Sequence, residues 1–340
     1  MNRVFKTLSG IFCAITILAG IISESAWAKP PAPYELQPYD SAHYQDLQVG
    51  RDGKPTELRP KEIYGTAPQI GIRLANGGAG YTGLLRALSE AYLAKHPTIH
   101  GKPFSIAWYA TNTTYSFRAL KDHVVDIALV YEISPEALTG KQAYAQRMSP
   151  LFRDAFILIG PEENPANLLA DSPQAAGDSV DTMLEKIIKK GCKTPFASGC
   201  AMYLSRSDLS GTYKKETTYL IAHRTPQDLI QNSQWYYPHP STPREALKEA
   251  QQKRLYGMND RSTWLSQPAL QQGLKIFADG SLGYDKNLLN PCYGLLAKPD
   301  YVQSNQPREF LKWLTSAEGQ RIIARYGQVQ FGAAIVKPWK

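Results

Sequence analysis

Apolar positions along the chain change period several times, and each change predicts an element. Ile70-Gly71-Ile72-Arg73-Leu74-Ala75 alternates like a half-buried strand and stops at Asn76-Gly77-Gly78-Ala79-Gly80. Leu84, Leu85, Leu88, Ala91 and Tyr92 then recur at helical spacing on one face. Strands are expected at Phe104 to Tyr109 and Val124 to Val130, separated by Thr111 to Asp122, whose second half is expected to be helical. The run Ala155 to Ile159 ends at Gly160-Pro161, and the alternation restarts there. It predicts helices near Ser179 to Lys190, after Ser210 and over Pro243 to Arg254, with strands at Met202 to Leu204, Leu255 to Met258 and Asn290 to Ala297. Two helices close the chain, Pro307 to Leu314 and Ala317 to Tyr326, the second opened by Thr315 with Glu318 three residues on, the spacing of a capping box. Strands alternating with helices predict an α/β fold with mostly parallel sheets. The restart after Pro161 predicts a second lobe.

The amino terminus does not follow this pattern. Arg3 and Lys6 precede an apolar run from Leu8 to Ile22, and Ala26-Trp27-Ala28 supplies the small-x-small pattern of a cleavage site. Residues 1–28 are expected to be a secretory signal peptide, the run being short for a span of about 20 apolar residues. Residues 29–66, rich in Pro and Tyr and without sustained periodicity, read as an extended arm. Nothing later is apolar enough to cross a bilayer, so the expectation is a soluble exported protein.

Export changes how cysteine is read. Cys13 leaves with the signal, and an odd number remains: Cys192, Cys200 and Cys292. Cys192 and Cys200 flank a stretch containing Pro195 and Gly199, and a disulfide between them is expected, with two unpaired thiols as the alternative. Cys292, in an apolar stretch, reads as a small buried hydrophobe.

Over 340 residues, 43 % hydrophobic and 20 % charged, a disordered tail or a fibrous rod is excluded. The formal charge of +8 suits an anionic partner but is spread along the chain, which argues against nucleic acid.

Three turns carry candidate chemistry. Asn76, Gly77, Gly78, Ala79, Gly80 and Thr82 lie between a strand and a helix, where small residues let backbone N–H groups converge on an anion. No nucleotide fingerprint is present there, and a plain tight turn is the alternative. Ser205, Arg206, Ser210, Gly211 and Thr212 lie at a second such junction, with hydroxyls, an amide and a guanidinium fork suited to two oxygens of an oxyanion. A helix cap with a surface Arg–Asp pair is the alternative there. Thr111 and Thr113 form a third cluster that reads equally as a hydroxyl-rich turn.

Enzyme constellations are missing. There is no H-E-x-x-H and no G-x-S-x-G, the stretch Gly280-Ser281-Leu282-Gly283 only approaching the latter. His96 and His100 are separated by Pro97 and are not expected to share a helical face as metal ligands. No catalytic residue, metal site or cofactor is expected.

From about Ile70 to the C-terminus the chain resembles the tungstate-binding periplasmic proteins, solute receptors of ABC importers. The resemblance rests on Leu151 to Pro161 with Asn164-Pro165-Ala166, on Ser205 to Thr212 with Lys215-Glu216, on Tyr256 to Leu265, and on the stretch from Asn290-Pro291 through Trp313 to Gln320. It implies a two-lobed type II periplasmic-binding fold with chain crossovers near residues 153–161 and 286–297. Lobe 1 would comprise residues 67–155 plus 290–340, and lobe 2 residues 156–289. It also implies that Arg206, Ser210 and Thr212 serve an oxyanion site facing the first glycine turn. Asp260 and Arg261 match a motif of the family and read equally well as a structural ion pair. Where the family carries Thr and Ser hydroxyls after the first strand, this chain has Asn76 to Gly80, so donors there would be backbone N–H groups.

The function expected is a monomeric periplasmic receptor delivering tungstate or molybdate to an ABC permease in the inner membrane. The Arg-Ser-Asp-x-Ser-Gly-Thr segment also looks like that of phosphate receptors. Tungstate and molybdate carry no proton at neutral pH and hydrogen phosphate does, so the direction of Asp208 bears on the choice. A sensor or adhesion module using residues 29–66 as a docking arm is a rival reading, and an exported hydrolase a weaker one, since no nucleophile and base assemble from the motifs.

Overall fold

The computed structural model describes residues 59–131, 145–222, 233–298 and 305–339. The expected signal peptide and most of the expected arm lie outside them. In chain order the strands are β1 (Glu62–Tyr64), β2 (Ile70–Asn76), β3 (Thr98–Ile99), β4 (Lys102–Pro103), β5 (Ser105–Ala110), β6 (Ile127–Tyr131), β7 (Ala145–Pro161), β8 (Tyr203–Ser205), β9 (Tyr236–Pro238), β10 (Tyr256–Asp260), β11 (Leu274–Asp279), β12 (Leu289–Ala297) and β13 (Lys337–Pro338). The helices are α1 (Gly78–Tyr81), α2 (Leu84–Lys95), α3 (Thr113–Lys121), α4 (Val180–Lys189), α5 (Gly211–Ala222), α6 (Pro243–Lys253), α7 (Arg261–Ser266), α8 (Gln306–Leu314), α9 (Ala317–Arg325) and α10 (Gln328–Phe331).

One sheet runs β1-β5-β2-β6-β12-β7-β10-β8-β9, with β11 and β13 also paired to β7, while β3 and β4 form a separate hairpin. Among the described strands, parallel pairing joins β2 to β5 and β6 at one end and β8 to β10 and β9 at the other. The long β7 and its partner β12 join these two halves through antiparallel ladders, so the sheet as a whole is mixed rather than mostly parallel. Residues 145–155 of β7 pair with β12, and residues 156–159 pair with β10. A single strand thus serves both halves.

The period of two in β7 sorts its side chains between two cores. Phe156 and Leu158 join a cluster with Met183, Tyr203, Tyr256 and Phe277, whereas Ile157 and Ile159 face Leu204, Leu247 and Trp264. The first half repeats the arrangement. Ile72 and Leu74 pack with Leu85, Trp108, Phe310 and Leu314 on one face, and Ala75 packs with Tyr109, Phe117 and Val130 on the other. A sheet covered on both faces by helices explains why β5 is buried along its whole length. The fold class is therefore the α/β class expected.

Several elements differ from the sequence expectation. Residues 62–64, placed in the arm, form an edge strand on β5. The helix after β5 starts at Thr113, because Asn112 accepts a hydrogen bond from the Tyr115 amide and caps it. The capping box expected at Thr315 and Glu318 does not form. Ser316 caps α9, while Glu318 bonds to Trp313 and Lys95. The capping box that does form is Thr242 with Glu245, ahead of α6. Cys192 and Cys200 are joined in a disulfide with Cα atoms 5.0 Å apart, and Cys292 is a free buried thiol. Among the described residues no helix is long and apolar enough to cross a membrane.

The turn after β2 is fixed by Trp108. Its indole Nε1 donates to Asn76 O at 2.8 Å, and a Cβ on Gly80 would sit 2.0 Å from the ring. Gly80→Ala is expected to lower stability by about 1–3 kcal/mol through this overpacking. The effect should appear as a lower denaturant midpoint at an unchanged slope; a midpoint equal to that of the parent would show that the Trp108 ring yields.

Candidate functional site

Four strands end at the same place, and each is followed by a helix: β2 by α1, β5 by α3, β8 by α5 and β10 by α7. The first amides of a helix have no intrahelical partner, and the backbone dipoles leave that end positive. These turns surround a cavity of about 600 Å³. Gly77, Gly78, Thr111 and Thr113 line it from the first half, and Arg206, Ser210, Gly211 and Thr212 from the second. The three turns singled out in the sequence therefore meet. This is the usual place for a ligand in α/β sheets, beyond the carboxyl ends of the strands.

Five of the sequence candidates are not among the lining residues. Asn76 is fully buried, its Nδ2 donating to Leu129 O and its Oδ1 accepting from the Gly80 amide, so it closes the turn from beneath. Ala79 and Gly80 face the core at Trp108. Thr82 donates to Ala79 O at 3.2 Å, and its own carbonyl accepts from Tyr326 Oη. Ser205 lies under the second turn, where its hydroxyl donates to Glu216 and accepts from the Ser207 amide. Each of these groups is occupied in holding a turn.

Arg206 is 3 % exposed. Its Nε donates to Ser241 O at 2.8 Å, and Nη2 pairs with Asp208. Nη1 is buried with no hydrogen-bond partner among the described residues. Asn290 Oδ1, on β12, is the other such atom among the described cavity-lining residues. Unpaired buried polar groups on a cavity wall cost free energy that a bound polar group recovers. Asp208 does not stand free: besides Arg206 it accepts the Ser210 amide at 3.1 Å, so it caps the approach to α5.

Carboxyl groups lie beneath these donors. Asp260, at the end of β10, accepts a hydrogen bond from Thr212 Oγ1 at 3.2 Å and lines the cavity. A Cβ built on Gly78 would stand 3.8 Å from Tyr131 Oη and 3.9 Å from Asp260 Oδ2, so both groups reach the glycine turn. Asp154, on β7, accepts from the Ser262 amide and hydroxyl. Burial raises the pKa of both acids, and the Asp260 charge adds to the shift at Asp154, which is pushed up to about 7. Burial also lifts the Tyr131 hydroxyl far above its ordinary range.

Tyr131, Asn290 and Ser241 were not anticipated from the sequence. Asp260 and Arg261 read equally as a motif of the family and as a structural ion pair; the ion pair does not form, since Arg261 pairs with Asp279 at 3.2 Å and Asp260 turns to Thr212. The strand-to-helix junction at Asp260-Arg261 repeats the pattern of the other turns, and that repetition is the signal that marks it. Among the described residues no cluster of His, Cys, Asp or Glu suits a metal ion.

Glu216, fully buried on α5, is pushed up to about 8, first by burial and with the Asp208 charge contributing. A carboxyl whose folded pKa is raised contributes stability that is complete below its unfolded value and is lost as pH rises through the folded one. Unfolding free energy is therefore expected to fall between about pH 4.5 and 8, and Glu216→Gln should remove about 1.4 kcal/mol per pH unit of that slope. Urea denaturation across this range checks it, and an unchanged slope in the variant would refute the assignment.

A family model described as PBP superfamily domain matches residues 62–318. The chain is 27 % identical over 234 residues to the tungstate-binding protein TupA of Peptoclostridium acidaminophilum, covering 67 % of this chain and 73 % of that protein. A crystal structure of a periplasmic protein described as a candidate metal binder is 30 % identical, with a TM-score of 0.66, over 82 % of this chain and 98 % of that one. The tungstate ABC transporter structure from Geobacter sulfurreducens is 21 % identical with a TM-score of 0.59, over 77 % of this chain and all of that one, a likeness of fold. The resemblance to tungstate-binding proteins read in the sequence recurs in these comparisons.

Proposed function

Since the chain belongs to the PBP superfamily, we propose that it is an exported solute receptor that holds a small oxyanion between two lobes and delivers it to an ABC permease. Tungstate or molybdate is the ligand put first; the curated relative is a tungstate-binding protein. Residues 1–28 act as the signal peptide, the mature protein works in the periplasm as a monomer, and residues 67–155 with 290–340 and residues 156–289 are the two lobes. The reading assigns the protein no catalytic step and no cofactor.

The observation that carries this reading is Arg206 Nη1, a buried guanidinium donor on the cavity wall without a hydrogen-bond partner among the described residues. An anion oxygen satisfies it, and the amides at the starts of α1, α3 and α5 supply further donors around a tetrahedral ligand. Ser210 adds a hydroxyl whose oxygen accepts from the Tyr213 amide and whose hydrogen is left to give, while the Thr212 and Thr113 hydroxyls donate to Asp260 and to Tyr131 O. Closure of one lobe on the other would exclude water from the site.

Titration of the ligand-stripped mature protein with tungstate, molybdate, phosphate and sulfate tests the reading. Tungstate and molybdate are expected to bind, and either at 100 times its dissociation constant should stabilise the fold by about 2.7 kcal/mol. Arg206→Ala should weaken binding by about 2–4 kcal/mol. Absence of binding by all four anions would overturn the receptor reading, and unchanged affinity in the variant would remove Arg206 from the site.

A further inference from the structure

The cavity wall combines donors suited to an anion with a carboxyl that an anion should avoid. Asp260 Oδ1 is engaged by Thr212, and Oδ2 reaches the Gly78 turn, the element that faces Arg206 and Thr212 across the cavity. An ionised acceptor in that position would confront the oxygens of a fully deprotonated ligand, at the cost of an unpaired buried charge. Protonation reverses the effect, because a carboxylic acid carries one O–H donor.

A second carboxyl shares this ladder. Asp154, 5 % exposed, lies two residues from Phe156, the register partner of Asp260, so the two carboxyls leave adjacent strands on one face and each charge disfavours the other. The groups facing Asp260 are Arg206 and Asp208 from the turn before α5, Thr212 from α5 itself, Asp154 from β7 and Tyr131 from β6, with Glu245 of α6 on the cavity wall held by Thr242. Arg206 favours the ionised form of Asp260, while burial and the Asp208 charge oppose it.

We propose that the Asp154–Asp260 pair takes up one proton from solvent when a fully deprotonated oxyanion enters the cavity, and that the protonated Asp260 donates a hydrogen bond to that anion. This rests on the receptor reading above and deepens it by making binding proton-linked. Burial raises both acids, Asp154 being pushed up to about 7 with the Asp260 charge contributing, so the pair as a unit is titrated across neutral pH. At lower pH the pair already holds the proton and binding takes up none; at higher pH the proton must be supplied, and affinity falls by up to tenfold per pH unit.

Molybdate, which carries no proton from pH 6 to 9, is the probe. Calorimetric titration at pH 6, 7, 8 and 9 in two buffers of different ionisation enthalpy counts the protons taken up. The count is expected to rise from near zero at pH 6 toward one at pH 8 to 9, while affinity declines over the same interval. Asp260→Asn replaces the titrating acid with a fixed amide donor and should abolish both the uptake and the pH slope. Asp154→Asn removes a neighbouring negative charge and should shift the uptake to lower pH. The proton count on the unaltered protein tests the proposal independently of either variant. Molybdate binding with no proton uptake at pH 8 to 9, or a slope that survives in Asp260→Asn, overturns the proton linkage and leaves the receptor reading standing. No molybdate binding at any pH overturns both.

Discussion

Burying a guanidinium beside a cavity obliges the surrounding chain to supply its partners, and the β8–α5 turn is shaped by that demand on Arg206. Asp208 and Ser241 O occupy two edges of the fork and leave Nη1 over. Bringing Asp208 back onto Arg206 puts Ser207 and Leu209 at φ values of 44° and 62°, a left-handed conformation that costs non-glycine residues free energy. The opposite half of the molecule holds the strained turn in place. Asn112 Nδ2 donates to Asp208 O at 2.5 Å, and Thr114 Oγ1 donates to Leu209 O at 2.9 Å. The same residues that cap and open α3 thus clasp the loop that presents Arg206. Positioning of the free guanidinium donor and contact between the halves are one constraint, so separating the halves would release the turn as well as open the cavity.

What was legible in the sequence follows from how local each signal is. Period-two runs such as Ile70 to Ala75 and helical faces such as Leu84, Leu85, Leu88 and Tyr92 reflect burial against one neighbouring layer, and the α/β class emerged from them. The arrangement of β7 was not legible in the same way. Its seventeen residues read only as an apolar run near Ala155 to Ile159, because polar, exposed Gln146 and Arg147 stand near its start and its partners β12 and β10 come more than 90 residues later. The glycine turn was found, but its inner residues were assigned to the cavity when they hold the turn. Sequence spacing cannot tell Gly78, beside Tyr131 and Asp260, from Gly80, pressed on Trp108. The Asp260-Arg261 dipeptide leaves a family motif and a local ion pair equally open for a related reason: at a strand end the two side chains point to different neighbours, which adjacency in sequence does not reveal. Tyr131 and Asn290 stand on strands whose apolar context hides a polar tip.

The charge balance at the cavity decides what the assembled turns can hold. Among the described lining residues one guanidinium, Arg206, faces three carboxyls: Asp208, Glu245 and Asp260. Asp208 is neutralised by Arg206, and Glu245 is turned to the Thr242 amide and hydroxyl. Among the described residues the Asp260 carboxyl accepts from one hydroxyl, and Arg206 favours its ionised form without an ion-pair contact, so its charge is set most directly against an entering anion. The compensating positive field comes from helix starts, each worth roughly half an elementary charge and falling off within a turn. The four-residue α1 and six-residue α7 contribute less of it than α3 and α5, because fewer peptide dipoles align. With Asp260 ionised, two full helix ends and one partly neutralised Arg206 must overcome a carboxylate in contact range. With Asp260 protonated the same donors meet no opposing charge, and an acid O–H joins them. Any affinity of this cavity for a dianion is therefore governed less by adding donors than by the protonation state of Asp260, the lining carboxyl held by a single hydroxyl.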